Sequence, residues 1–300
     1  MIPVVVGSNP IGHPNLPAPK KARKWRAPAR RELATAGSAF RAVCSAALAQ
    51  IESNAGGFAR SCDAEFLHQL RVGLRRLRAA LRAFRPVLPK RPAKTLARSL
   101  RKFAPALGAA RDWDVFCAWL QDRVPELKSL NASARRKCVG ARRKARVAIA
   151  SSEFRRTLDG ARQLAERSID RVPIAELARE ALEKSHRKAM KKARRIRWHD
   201  GSQRHALRVR LKRLRYACEY FAPCFESPAA ARYVGWLKAM QEILGDLNDI
   251  AVGRSLLSEL PAAPATLAEK LDARQAKRLS ELPRAWGALQ NQHPFWKLPR

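Results

Sequence analysis

The sequence predicts an all-α protein of two four-helix bundles, related by internal duplication as a pseudo-twofold. Three observations carry that reading. Apolar residues recur at steps of 3 and 4, and no alternating apolar/polar run is long enough to make a strand. From about Arg31 onward Pro and Gly become sparse, and Ala, Leu, Arg and Lys dominate. Finally, residues 68–88 match residues 205–225 at 11 of 21 positions, an offset of 137. The same offset pairs "LGAARDWDV" (107–115) with "LGDLNDIAV" (244–252), aligning Gly108 with Gly245 and Asp112 with Asp249. Between them Leu96, Leu100, Phe103 and Leu107 align with Tyr233, Leu237, Met240 and Leu244.

In chain order, residues 1–30 carry six prolines and the basic cluster Lys20 to Arg26, and read as a flexible basic tail. The first helical half, 31–168, holds helices near 32–53, 62–86, 92–121 and 130–168. The second, 169–300, holds helices near 173–198, 202–222, 228–260 and 265–287. Prolines at 86, 89, 92, 125, 173, 223, 228, 261, 264 and 283 punctuate the pattern. Pro105 falls inside an apolar period, where it either kinks a helix or starts one. Residues 286–300, with Trp286, Phe295 and Trp296, are expected to fold back as an apolar cover.

Composition narrows the function. Lys and Arg number 61 against 25 Asp and Glu, a formal charge of +36. Such an excess opposes compaction and points to a polyanionic partner: nucleic acid, an anionic membrane surface or polyphosphate. No stretch approaches the ~18 apolar residues of a membrane span. The six cysteines form no C-x-x-C pair and mostly sit on apolar helical faces, which predicts reduced, buried thiols and a soluble cytoplasmic protein.

The repeat concentrates the charge. Leu67, Leu70, Leu74, Leu77, Leu81 and Phe84 form one apolar helix face. His68, Arg71, Arg75, Arg78 and Arg82 fall within an arc of about 80° on its flank. The second copy repeats the row as His205, Arg208, Lys212 and Arg215, and departs at Glu219, the counterpart of Arg82. That glutamate should weaken the far end of the row or tether a neighbouring arginine. Arg76 and Arg213 lie to the other side and serve a different surface or an internal ion pair. A solvated face normally mixes signs to gain i,i+4 pairs, yet 68–86 contains no acid. The rows also lack aromatics among the cations, so they suit a ligand made only of phosphates better than one with bases to stack. Lys94, Arg98 and Arg101 extend the basic surface, as do 135–146 and 184–197.

The histidines should be neutral when the rows are empty, because neighbouring arginines disfavour protonation, and should strengthen anion binding below about pH 6.5. Metal ligation by His68 with His205 needs further ligands that the sequence does not place nearby. Neither a metal nor a cofactor is expected. Asp112, Asp114, Asp246 and Asp249 read first as carboxylates that orient arginines of the neighbouring rows, with a magnesium site and helix-end roles as alternatives.

The motifs His68-x-x-Arg71-Val72-x-x-Arg75-Arg76-Leu77-Arg78 and His205-x-x-Arg208-Val209-x-x-Lys212-Arg213-Leu214-Arg215, with the paired Leu-Gly-x-x-x-Asp motifs, resemble the CHAD family of histidine-containing α-helical domains. The resemblance covers roughly 31–290. It implies two four-helix bundles, non-catalytic binding of inorganic polyphosphate along a basic surface, and location at polyphosphate granules. It carries His68, Arg71, Arg75, Arg78, His205, Arg208, Lys212 and Arg215 over as polyphosphate-binding positions. Arg82, Lys94, Arg98 and Arg101 join them on charge and placement. Family members often accompany a CYTH-type triphosphatase, but no E-x-E-x-K motif occurs here, so such an enzyme would be a separate partner. Two alternatives stand: an enzyme that processes phosphate polymers, and a general nucleic-acid-binding protein that uses the tail at Lys20–Arg26.

Overall fold

The computed structural model describes residues 21–297 except 28, 169–171, 226 and 262. The described residues form ten α-helices: α1 (Ala36–Arg60), α2 (Ala64–Ala83), α3 (Lys90–Lys102), α4 (Ala104–Arg123), α5 (Lys128–Ala150), α6 (Ser152–Glu166), α7 (Ile174–Ala193), α8 (Gly201–Phe221), α9 (Pro228–Leu257) and α10 (Ala265–Gln290). The described residues contain no β-strand.

Two of the long helices expected in the first half are each split in two. The 92–121 segment breaks at Phe103, and Pro105 occupies the first turn of α4, where its missing N–H leaves no helical bond unmade. The 130–168 segment breaks at Ser151, whose extended backbone and hydroxyl cap α6 by accepting from the Phe154 amide at 3.1 Å. In the second half Pro283 does not punctuate; α10 runs through it without the bond to Leu279 that a proline cannot make. The repeat offset reappears in the helix starts: α2 and α8 begin at 64 and 201, α5 and α10 at 128 and 265, each pair 137 apart.

The helices pair as α1 with α2, α4 with α5, α7 with α8 and α9 with α10, while α2 meets α8 and α4 meets α9. The larger apolar core takes residues from all ten of these helices. A second, of Trp113, Phe116, Leu120, Leu130, Ile250, Leu267 and Leu271, joins α4 and α5 to α9 and α10. Both cores draw on both halves of the chain. Phe84 and Phe221, equivalent by the offset, touch with ring centroids 5.0 Å apart, as residues on a twofold axis would.

Both ends of the described chain are docked. Phe295 and Trp296 are buried, and the Trp296 indole donates to Glu183 at 3.2 Å, so the apolar cover forms as expected. Residues 1–20 of the stretch read as a flexible tail lie outside the described residues. Its later part is fastened: Asn54 exchanges hydrogen bonds with the Arg23 backbone at 3.1 and 2.9 Å, and Ala22 and Trp25 pack on the core.

Candidate functional site: a cationic seam between α2 and α8

Asp63 caps α2 by accepting from the Glu65 amide, and Asp200 caps α8 by accepting from that of Gln203. Each helix then buries its leucines, Leu67 to Leu81 on α2 and Leu207, Leu211 and Leu214 on α8. Their flanks carry the two basic rows to the α2–α8 junction, so the rows share one seam.

At its centre Arg75, Arg208, Lys212 and Arg215 lie within one another's fields. Burial first, then Arg208, Arg75 and Arg215, push the Lys212 amine down to about 6, with Asp249 opposing. The Nε atoms of Arg75, Arg208 and Arg215 are buried and have no hydrogen-bond partner. Of these, Arg215 Nε has the Glu219 carboxylate at 3.6 Å, whereas the Arg75 and Arg208 donors are costly unless an acceptor arrives from outside. Arg71 is held more firmly. It donates to the carbonyls of Leu107 and Gly108 at 3.1 and 3.0 Å and lies 3.6 Å from Asp112. Burial, followed by Arg75, lowers its guanidinium to about 10.

The two histidines differ. Nδ1 of the exposed His205 lies 3.1 Å from Oδ1 of Asn248, which places the ring proton on Nδ1. The same oxygen accepts from Arg208 at 3.4 Å. By the offset, Asn248 corresponds to Arg111, and Arg111 is the charge that acts most on His68. Burial and then Arg111 drive the half-buried His68 imidazole down to about 4. Burial therefore outweighs the arginine row as the reason His68 is neutral.

The ends of the seam also differ. Toward the C-terminus of α2, Arg78 and Arg82 are joined by Arg101 of α3, and burial followed by this mutual repulsion lowers both guanidiniums. Lys94 and Arg98 are exposed two turns and one turn before Arg101, on the same helix. At the opposite end Arg76 forms a 2.5 Å ion pair with Glu219, and Arg215 approaches the same carboxylate at 3.6 Å. The Arg76 guanidinium lies over the rings of Trp25 and Tyr216, 4.4 and 4.9 Å from their centroids.

The four carboxylates divide. Asp112 and Asp249 face the seam, and burial raises the Asp112 carboxyl against the opposing pull of Arg71. Asp114 and Asp246 serve helix packing instead. Asp114 takes both its oxygens to Arg142 of α5 at 2.9 Å, and Asp246 binds Arg278 of α10 at 2.7 Å. Among the described residues no group of three His, Cys, Asp or Glu is placed to hold a metal ion. All six cysteines are free; Cys44 and Cys218 are buried, whereas Cys62 is exposed. His186 packs edge-on against Trp296 at 5.6 Å between ring centroids.

A sequence model of the CHAD domain matches residues 42–258. The chain belongs to the CHAD family. The crystal structure of the CHAD domain from the plant Ricinus communis is similar at 30% identity and a TM-score of 0.73, covering 94% of this chain and 98% of that one. PptA from Streptomyces chartreusis shares the fold with a TM-score of 0.63 at 17% identity, covering 88% of this chain and 100% of that one. No curated protein sequence matches. The CHAD family is associated with polyphosphate binding. Within this CHAD chain, no described helix is long and apolar enough to cross a membrane.

Several residues at the seam escape sequence reasoning. Arg111 and Asn248 sit beside the recognised Asp112 and Asp249, and only the register of α4 and α9 against α2 and α8 turns them toward the histidines. Trp25 lies in a stretch whose prolines and charge read as a tail.

Proposed function

We propose that this CHAD chain binds inorganic polyphosphate along the α2–α8 seam, does not transform it, and so associates with polyphosphate granules in the cytoplasm. One observation carries the reading: the buried Nε donors of Arg75 and Arg208, which have no hydrogen-bond partner, beside Arg215 and around a lysine held at about 6. Such a cluster gains most from a ligand that brings several oxygens and negative charges together. A ring-free ligand suits it, because Phe84, Phe221 and Tyr216 are buried beneath the cations rather than presented for base stacking. Binding without chemistry is favoured by the partners of the histidines. His205 bonds to an amide, and the charges around His68 are Arg111, Arg75, Arg71 and Glu65, an arrangement with no nucleophile–base pair.

Competition at physiological salt tests this. Bound long-chain polyphosphate should resist duplex DNA at matched phosphate concentration; ready displacement by DNA would overturn the proposal. Incubation of polyphosphate with the protein and magnesium should release no phosphate, and steady release would make the chain an enzyme.

A further inference from the structure

Beside the seam, α2, α7 and α8 enclose a cavity of about 540 Å³. Arg82 and Arg85 reach it from the end of α2, and Lys90 from the start of α3. Lys184 and Lys188 line it from α7, Arg210 and Arg213 from α8, and Glu180 is the lone carboxylate. Its floor is apolar, with Leu81, Leu88 and Leu177.

The repeat shows that this charge is not a by-product of a basic protein. Arg82, Arg85, Lys90 and Arg210 correspond by the 137-residue offset to Glu219, Ala222, Ser227 and Gly73. The symmetry-related place therefore lacks four cations, three on the second copy (Glu219, Ala222, Ser227) and one on the first (Gly73). Only Arg213 has a basic counterpart, Arg76, and that one is neutralised by Glu219 at 2.5 Å. At Gly73 the space itself is closed, since an added Cβ would meet Ile51 of α1 at 2.8 Å. The matching region around Arg76 has Trp25, Ala222 and Ser227 in its lining and fewer cations: Arg76 and Arg215, both drawn to Glu219, with Lys24 and Lys238. One end of the seam thus opens into a chamber of cations, and the other is stopped by an ion pair beneath an indole.

The charges in the chamber are poorly satisfied. Burial, then Arg82, Arg210 and Arg78, lowers the Arg213 guanidinium to about 10. Lys188 is lowered too, by burial and then by Lys184, Arg210 and Arg213. Arg78 and Arg82 belong to the seam and to this repulsion at once, so the cationic path runs without interruption from Arg75 past Arg78 and Arg82 to Arg213.

We propose that the α2–α7–α8 cavity is a second anion site, which takes the outgoing stretch of a polyphosphate chain whose preceding phosphates lie on the seam. This rests on polyphosphate being the ligand of the seam. The bound chain then extends to one side only, over α7, and not past Trp25.

The test compares tripolyphosphate, short enough for the seam alone, with long-chain polyphosphate. Binding is measured for the whole chain and for the double variant Lys188→Glu/Arg213→Glu. Long-chain affinity should fall about tenfold or more, while tripolyphosphate binding stays within about twofold. A matched control, Arg123→Glu/Lys270→Glu, alters exposed cations of α4 and α10 that line neither site, and should leave the ratio of the two affinities unchanged. Equal losses for both ligands in the cavity variant, or the same selective loss in the control, overturn the second site and leave the seam standing. Failure of the unaltered protein to bind either polymer overturns the seam reading itself. Should the charge reversal unfold the protein, Lys188→Gln/Arg213→Gln gives the same comparison, with a selective long-chain loss of about threefold supporting the site and no selectivity ending it.

Discussion

Arg76 on α2 and Glu219 on α8 form a 2.5 Å ion pair whose side chains retain only 8% and 15% of their exposure. The pair bolts the two row-bearing helices together. Removing one partner of such a pair leaves the other charged and withdrawn from water. Glu219→Gln should therefore lower unfolding free energy by about 2–4 kcal/mol, read as a lower urea midpoint at an unchanged slope.

Asp114 and Arg142 make the corresponding clamp between α4 and α5, with exposures of 4% and 8%. Asp114→Asn should cost about 3 kcal/mol of stability. It should leave polyphosphate affinity within about twofold, because the pair does not face the seam. Urea denaturation and a binding isotherm on the same preparation check both halves of this expectation.

Arg75 is the central seam cation with an unpartnered buried Nε. Arg75→Gln should weaken polyphosphate binding by about 1.5–3 kcal/mol, the worth of a charge-assisted hydrogen bond. The slope of log affinity against log salt should become shallower by about 0.7. Titrations at several salt concentrations provide both numbers.

Lys212 makes binding proton-linked. Its folded value of about 6 lies below that of the unfolded chain, so the empty protein binds fewer protons than the unfolded chain from about pH 6 to the ordinary lysine range, and its stability rises with pH there. A polyanion reverses the field and restores the proton. At pH 7.5 polyphosphate binding should take up close to one proton, seen as a dependence of calorimetric heat on buffer ionisation enthalpy. Lys212→Met should abolish that uptake.

His68 behaves differently from the simple expectation of stronger binding below pH 6.5. With its imidazole held at about 4, the empty protein loses stability as pH falls from the ordinary 6.5 toward 4, where the unfolded chain gains a proton first. His68→Gln should flatten the pH dependence of the thermal midpoint across that window. Where the polyanion restores the imidazole proton, the His68-dependent gain in affinity should keep building as pH falls toward about 4 and level off below it.

The fold class and the central row are legible in the sequence because both rest on periodicity. Leu67 to Phe84 fix which side of α2 is buried, and Arg71, Arg75 and Arg78 follow from the helical angle. The breaks at Phe103 and Ser151 are less visible. Each falls inside a continuing apolar pattern, and only local signals, Pro105 in a first turn and Ser151 three residues before Phe154, mark them. The uneven ends of the seam depend on contacts between helices. Glu219 could be seen to tether an arginine, but that the arginine is Arg76, under Trp25, requires the tertiary arrangement. The sinking of the His68 and Lys212 pKa values is likewise set by burial, which periodicity does not quantify.

The contact between Phe84 and Phe221 has a consequence for synthesis. At about 5–20 residues per second, the ribosome delivers Phe221 roughly 7–30 s after Phe84. For that interval Phe84 has Phe40 of α1 beside it but lacks the Tyr220 and Phe221 rings of α8. Newly made chains are then most exposed to chaperones and to association with one another, and the vulnerable period ends when α8 emerges.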